Sequence, residues 1–242
     1  MNYTTKLIYE PKGKAKEYAD LALNVYNGCS HGCKYCYAPA CMHKTCEQFK
    51  EVSPRSMIGL EKDCKILQDA GCKEQIHLCF TCDPYQPVEE ELQHTRKTLK
   101  TIKSYGLSVL ILTKGGVIAQ RDFDLLDSSD SFGITLTCDN EKDSKEWEPG
   151  AALPNERISN LISAKQAGKK TWVSFEPVIY PDQTLRLIEQ IAEYADIVKL
   201  GKLNHNKHAQ GINWNEYAHK AVNLVTELGL KHYVKVDLVA CL

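Results

Sequence analysis

The chain has 242 residues, of which 43% are hydrophobic and 25% charged, and its formal net charge is −1. That length suits one large domain with a sizeable core, and the charge balance excludes a global basic pull toward nucleic acid. The N-terminal MNYTTKLIYEPKGKAKEY has no apolar signal core, and no stretch approaches the roughly 18 apolar residues of a membrane span, so a soluble cytoplasmic protein without membrane contact is expected.

Eleven cysteines is a high count for such a chain. The number is odd, and without an export signal clustered thiols point to metal or redox chemistry more than to a disulfide framework.

Along the chain, strand-like and helix-like segments alternate. The first apolar run, Leu21–Tyr26, leads into a cysteine-rich loop. A helical face of Met57, Leu60, Cys64 and Leu67 stops at Gly71 before the strand candidate Ile76–Phe80. Leu92, Thr95, Leu99 and Ile102 share a face up to Gly106, before Leu107–Leu112. The strand candidate Phe132–Leu136 comes next. Ile158, Leu161, Ile162 and Lys165 then run to Gly168, ahead of Thr171–Phe175. Asp182 is the expected cap of a helix burying Leu185, Ile188, Ile191, Ala192 and Ala195, followed by Ile197–Leu200. The strongest stripe is Trp214, Tyr217, Ala218, Ala221, Val222, Val225 and Leu228, ended by Gly229, and Tyr233–Val239 is the last strand candidate.

This alternation predicts an α/β fold with a parallel sheet and helices outside, either doubly wound or a full or partial (β/α) barrel. In both, ligands gather at the carboxyl ends of the strands. Thr81-Cys82-Asp83, Thr113-Lys114-Gly115, Thr137-Cys138-Asp139 and Glu176-Pro177 fall there, as does Asn27-Gly28-Cys29. One convergent site is the reading, against the alternative that loops are polar anyway.

The most specific feature is NVYNGCSHGCKYCYAP, with Cys29, Cys33 and Cys36 on one short loop. Gly28 and Gly32 let the backbone turn tightly so that three thiolates can converge. Three thiolates match three corners of a cubane cluster and leave one iron open to a small molecule. A Cys₃His zinc site using His31 or His43 is the rival, and unrelated buried thiols are the bland alternative.

The CxxxCxxC loop followed by an aromatic residue resembles the signature of radical S-adenosylmethionine (SAM) enzymes. The wider stretch is similar to the branch containing spore photoproduct lyase, as are TCDPYQPVE (81–89), Thr95-Arg96, ILTKGG (111–116), QRDFDLL (120–126) and EPGAALPNERI (148–158). The resemblance implies a partial (β/α)₆ TIM-type barrel in a single domain over 1–242. Residues 1–20 would form an N-terminal extension, 21–201 the barrel core and 202–242 a C-terminal helix and strand.

By the same resemblance, Cys29, Cys33 and Cys36 would ligate a [4Fe–4S] cluster that cleaves SAM to a 5′-deoxyadenosyl radical, which abstracts hydrogen from a substrate. Tyr37 would lie near the adenine, or pack in the core. Asp83 would meet the methionine amino group, or serve as a turn residue before Pro84. Lys114 would pair with the cosubstrate carboxylate, or be solvated. Thr135 and Thr137 would hydrogen-bond the cosubstrate, or be ordinary strand residues. Glu176 would take a ribose, or a lysine such as Lys199. The lyase returns hydrogen through a cysteine after its second strand. Here Phe80 aligns with that position between Cys79 and Cys82, so Cys82 is the expected donor, with Cys138 after the fourth strand as the other candidate.

Three functions are expected in turn: a radical enzyme acting on a nucleobase or nucleic acid, one acting on a peptide or small metabolite, and a non-catalytic iron–sulfur or zinc protein. The basic groups Lys12, Lys14, Lys16, Lys199, Lys202, His205, Lys207 and His208 suit phosphates or are an ordinary solvated surface. A low-potential flavodoxin or ferredoxin is the expected electron donor, and a monomer the default state.

Overall fold

Alternation of buried residues on both faces of short strands builds the core of this protein, seen in a computed structural model describing residues 3–242. In chain order the strands are β1 (Leu21–Leu23), β2 (Tyr26–Asn27), β3 (Ser53–Pro54), β4 (Ile76–Leu78), β5 (Val109–Thr113), β6 (Ser131–Thr135), β7 (Lys170–Phe175), β8 (Ile197–Leu200) and β9 (His232–Val234). The helices are α1 (Ala38–Cys41), α2 (Cys46–Lys50), α3 (Leu60–Asp69), α4 (Glu89–Leu92), α5 (His94–Ser104), α6 (Glu141–Trp147), α7 (Pro154–Gln166), α8 (Pro181–Ile191), α9 (Trp214–Glu227) and α10 (Val236–Val239).

β2 and β3 form a small antiparallel pair. The others make a seven-stranded sheet in the order β1-β4-β5-β6-β7-β8-β9, every pairing parallel. Each strand neighbours the next in sequence with no reversal, so the sheet winds in one direction and curls as a barrel wall; a doubly wound sheet would contain a switch point. β1 and β9 are its edges, and the barrel is open. The expected partial barrel is present as a single domain, with β9 adding a seventh strand beside β8.

Alternate strand residues face the helices. Val109, Ile111, Phe132, Ile134, Val173, Phe175, Val198 and Leu200 are all fully buried, each worth about 1.5–3 kcal/mol on removal from water. The other set faces the barrel interior. Gly133 pairs in register with Trp172, and a Cβ there would meet the indole at 2.3 Å; the missing side chain is what lets Trp172 fill the lumen.

The N-terminal segment touches both edges of the open sheet. Tyr9 exchanges hydrogen bonds with Ala22 of β1 at 2.9 and 2.8 Å. The buried carboxylate of Asp63 accepts the Lys6, Leu7 and Ile8 N–H groups. Farther along, Glu17 accepts from Val236 N at 2.9 Å beside β9. Tyr18 enters the lumen, donating to Glu176 at 2.6 Å.

The four glycines read as helix stops, Gly71, Gly106, Gly168 and Gly229, all adopt left-handed backbone with φ of 65, 66, 71 and 65°. Two local expectations are corrected. Tyr233–Val239 is not one strand: pairing stops at Val234, and Val236–Val239 turns into a short helix of which only Leu238 is buried. Asp182 does not cap α8. Pro181, with its preset φ and missing N–H, suits the first helical position, so Tyr180 is the N-cap and Asp182 lies in the first turn. The buried face of α8 is accordingly Gln183, Thr184, Leu187, Ile188 and Ile191, with Leu185 half-buried. α6 was not anticipated from hydrophobic periodicity, since only Ser144 and Trp147 of it are buried. Its start is nevertheless marked by Asn140, whose side chain accepts from Asp143 N. Among the described residues no helix is long and apolar enough to cross a membrane.

Candidate functional site

The cysteine loop leaves the carboxyl end of β1 through β2 and is held from two sides. On one side, Cys29 N donates to Phe49 O at 2.8 Å and Ser30 N to Gln86 Oε1 at 3.0 Å. On the other, Lys34 N donates to Trp147 O at 2.9 Å, and Gly150 N to His31 O at 2.8 Å. Gly28 has φ 85°, and a Cβ on it would lie 2.6 Å from both the Phe49 and Glu51 carbonyl oxygens. Gly28→Ala should therefore force the loop off its support. We expect a cost of about 2 kcal/mol or more from left-handed strain and collision together, read as a lowered midpoint of thermal unfolding and lower iron uptake. Unchanged values for both would refute this role for Gly28.

Cys29 and Cys33 are half-buried, and Cys36 is exposed at the loop's end. Burial raises the Cys29 thiol well above its ordinary range and the Cys33 thiol to about 12, the latter partly offset by Lys114. Burial raises Cys36 as well. All three stay protonated until a cation arrives, so metal uptake must displace protons. Among the described residues no three His, Cys, Asp or Glu side chains are grouped tightly enough to hold one metal ion. His31, a possible fourth zinc ligand by sequence, turns inward: it is buried, with Nδ1 3.7 Å from Asp83 Oδ2. His43, the other, is exposed. Three soft thiols on one loop, without a carboxylate among them, are the donor set that suits an iron–sulfur cluster.

Behind the loop lies a buried charge cluster. Glu148 and Arg157 form an ion pair at 2.6 Å, both about 1% exposed. Tyr35 donates to Glu148 Oε1. Arg157 also donates to Ala152 O at 2.7 Å and to Thr135 O at 3.1 Å, so one guanidinium ties α7 to β6 and to the turn after α6. Burial opposes ionisation of Glu148, but Arg157, Lys114 and Tyr35 outweigh it and hold the carboxyl below its ordinary value. Lys114 lies over the Tyr35 ring at 5.7 Å. Burial likewise opposes its charge, and Cys33 once ionised, with the Glu148 and Asp83 carboxylates, outweighs burial, so its ammonium is held charged beside the cysteine loop.

Asp83 joins the ends of β4 and β5. It accepts from Thr113 Oγ1 and Lys114 N, both at 2.6 Å, and from Tyr85 N at 2.9 Å. Tyr37, 55% exposed at the rim, donates to Phe80 O at 2.7 Å. Thr135 and Thr137 are buried at the end of β6, and the Thr137 hydroxyl makes no hydrogen bond of normal geometry among the described residues. Glu176 meets Lys235, not Lys199: its Oε2 accepts from Lys235 Nζ at 2.7 Å as well as from Tyr18.

Because β4 ends at Leu78, strand alternation does not carry on to Cys82. The chain bends, with Phe80 N and Thr81 N both donating to Asn24 Oδ1 at 2.8 and 2.9 Å. The bend brings the two thiols together, and burial followed by the hydrogen bond to Cys82 pushes Cys79 well up. Cys138 is elsewhere, 1% exposed against Trp147 and Ile179. Tyr35, Glu148, Arg157, Tyr18 and Lys235 were not assigned roles from sequence. The motif EPGAALPNERI contains Glu148 and Arg157, but nothing in its pattern says that its two ends meet.

Residues 23–195 match the family model of the radical SAM superfamily, which is more than half of the chain. An uncharacterised protein of Methanocaldococcus jannaschii is 29% identical over 167 residues, covering 68% of this chain and 62% of that protein, so the chain spans less than two thirds of that relative. An uncharacterised protein of Acidianus two-tailed virus is 28% identical over 231 residues, covering 86% of this chain and 75% of its own length. Among solved structures, spore photoproduct lyase complexed with dinucleoside spore photoproduct superposes with a TM-score of 0.72 at 15% identity, covering 96% of this chain and 79% of that one. SuiB of Streptococcus suis bound to S-adenosylmethionine superposes at 0.67 with 12% identity, covering 91% and 52%. At these identities the structural likenesses show the fold.

Proposed function

The chain belongs to the radical SAM superfamily, whose cofactors are a [4Fe–4S] cluster and S-adenosylmethionine, and from that premise we propose that Cys29, Cys33 and Cys36 hold the cluster at the carboxyl-end mouth of the barrel. When bound, the two cofactors supply a 5′-deoxyadenosyl radical that takes a hydrogen atom from a substrate. The observation that carries this reading is the three-thiol loop at the carboxyl ends of an open parallel barrel, with the charged Lys114 beside Cys33.

The chain's own part is to hold and orient. Lys114 offsets the negative charge of the thiolates and is available to the cosubstrate carboxylate. Asp83 fixes Lys114 through its backbone, and the remaining lone pairs of its carboxylate suit the methionine amino group. Tyr37 at the rim offers its ring to the adenine. Thr135 and Thr137 line the same mouth, and the buried Thr137 hydroxyl gains a partner if the cosubstrate reaches it. Glu176 uses Oε2 for Tyr18 and Lys235, which leaves Oε1 for a ribose hydroxyl.

The hydrogen atom returned to the substrate radical comes from the thiol of Cys82, half-buried in the bend after β4, in preference to Cys138, which is packed behind Trp147; the thiyl radical left on Cys82 is restored by one electron from the external donor and a proton. The substrate carries a nucleobase, free or in a nucleic acid; the fold shared with a lyase that has been complexed with dinucleoside spore photoproduct supports this. A flavodoxin or ferredoxin supplies the electron, and the protein acts as a monomer in the cytoplasm.

The test is anaerobic reconstitution, reduction, addition of S-adenosylmethionine and measurement of 5′-deoxyadenosine, alone and with oligonucleotides. Formation stimulated by an oligonucleotide is expected. In Cys82→Ala, 5′-deoxyadenosine should persist while the substrate-derived product changes. Identical products would remove Cys82 from the mechanism. Stimulation by peptides or small metabolites in place of oligonucleotides would reassign the substrate.

A further inference from the structure

We propose that the amino-end mouth of the barrel, opposite the cysteine loop, is a binding site for a small phosphate-bearing anion, with Lys199 on its floor and Lys169, Lys170 and Lys231 at its rim.

A cleft of about 680 Å³ opens there, bounded by the first residues of β6, β7 and β8 and by the residues preceding β4 and β9. Its wall contains five lysines, Lys165, Lys169, Lys170, Lys199 and Lys231, and a single acid, Asp196. Lys165 pairs with that acid, so the remaining ammonium groups face the cleft without an acid in its wall to balance them. This clustering contrasts with the chain as a whole, whose net charge is −1.

Helix-end electrostatics account for part of it. Lys165 lies in the last turn of α7, where a cation meets the free carbonyls, and Lys169 donates to Leu126 O at 2.6 Å. That account does not reach Lys170 and Lys231, which stand exposed on the rim, nor Lys199.

Lys199 belongs to β8 and points into the barrel. Its Nζ donates to Glu17 O and Tyr18 O at 3.1 and 3.2 Å and lies over the rings of Tyr18 and Trp172 at 4.7 and 5.3 Å. All of these partners are neutral. The nearby carboxylate of Glu176 is taken by Lys235. Burial, then the charge of Lys235, lowers the Lys199 ammonium to about 8, against the weaker opposing pull of the Glu17 and Glu176 carboxylates, neither of which it contacts through a side-chain hydrogen bond. A half-buried cation on neutral partners is held at a cost that an entering anion would offset. Lysine is a point-charge binder of phosphate, and several of them around a concave mouth suit one compact, multiply charged group. An extended backbone would call for a flat basic stripe.

The site is independent of the cluster, so its test is a binding measurement on the cluster-loaded protein. Calorimetric titration with pyrophosphate and with AMP at low salt should show saturable one-to-one binding. The double variant Lys170→Ala/Lys231→Ala, both rim positions, should bind about tenfold or more weakly with the thermal midpoint unchanged. Lys199→Met should abolish binding, and Cys33→Ala should retain it. No saturable binding to the folded wild-type protein would overturn the proposal. So would equal affinity in the wild type and the double variant, which would put the anion elsewhere. Binding of a single-stranded oligonucleotide with pyrophosphate inert would replace it with a nucleic-acid surface.

Discussion

Cys33→Ala is expected to abolish the visible absorbance of the reconstituted cluster and to bring 5′-deoxyadenosine formation to background. The loss should exceed the roughly 10–100-fold that removal of a supporting partner costs, because the variant lacks one of the three proposed ligands. The fold should survive. The Cys33 backbone still accepts from Cys36 N, and a half-buried thiol contributes little packing, so stability should stay within about 1 kcal/mol of the parent. Iron content, absorbance and thermal unfolding measured together separate the two effects. A folded variant with full iron and intact absorbance would remove Cys33 from the ligand set and return the zinc and unrelated-thiol readings of the loop.

Arg157→Met should produce the largest loss of stability of any single change considered. The substitution keeps most of the side-chain volume but leaves Glu148 ionised, about 1% exposed and without its 2.6 Å partner, and it strands the Ala152 and Thr135 carbonyls. Breaking a buried pair in this way costs about 3–5 kcal/mol. For a chain of this size that corresponds to a fall of about 10 °C in unfolding midpoint. The cysteine loop should suffer with it. Tyr35 hangs on Glu148, and Trp147 O and Gly150 N hold Lys34 and His31, so cluster uptake should drop even at temperatures where the variant is folded.

The pH dependence of that loss has a definite sign. In the parent, the Glu148 carboxyl is depressed below its ordinary 4.5. Its contribution is complete above that value and is lost as the pH falls through the folded-state value. In Arg157→Met the buried carboxylate keeps only Lys114 and Tyr35 against burial, so protonation relieves it and the deficit relative to the parent should shrink as the pH falls from 7 toward 5. Urea unfolding of both proteins at the two pH values checks this. A deficit that does not change with pH would mean that lost packing, and not the unpaired charge, dominates.

Much of the fold was legible because its signals are local. Cys64 and Leu67 of α3, and Tyr217, Ala218, Ala221 and Val225 of α9, repeat at helical spacing and are buried as that spacing requires. The cysteine loop was legible for the same reason, since its three thiols lie close together along one segment. Tyr233–Val239 misled because an apolar run of that length suits a strand or a short helix equally, and only the Lys235 carbonyl, turned to accept from Leu238 N and Val239 N, ends the strand. A lysine is one of the two expected partners of Glu176, but it is Lys235 and not Lys199, because both lie near the barrel lumen and sequence contains no measure of which ammonium approaches more closely.

By itself the sequence determined an α/β alternation, a three-cysteine loop at a strand's carboxyl end and the family that such a loop marks. Tertiary structure alone decided that the sheet winds one way and stays open, that Tyr18 crosses into the lumen to Glu176, that Cys79 and Cys82 meet, that Arg157 neutralises Glu148 behind the cysteine loop, and that lysines from separate loops and strands surround one cleft. The division follows from the range of the forces that write each feature. Periodicity and turn chemistry act over a few residues and leave a mark in the order of the chain. Charge pairing and lumen packing join groups as far apart as Tyr18 and Glu176, and are settled only when the folded backbone brings them within hydrogen-bond distance.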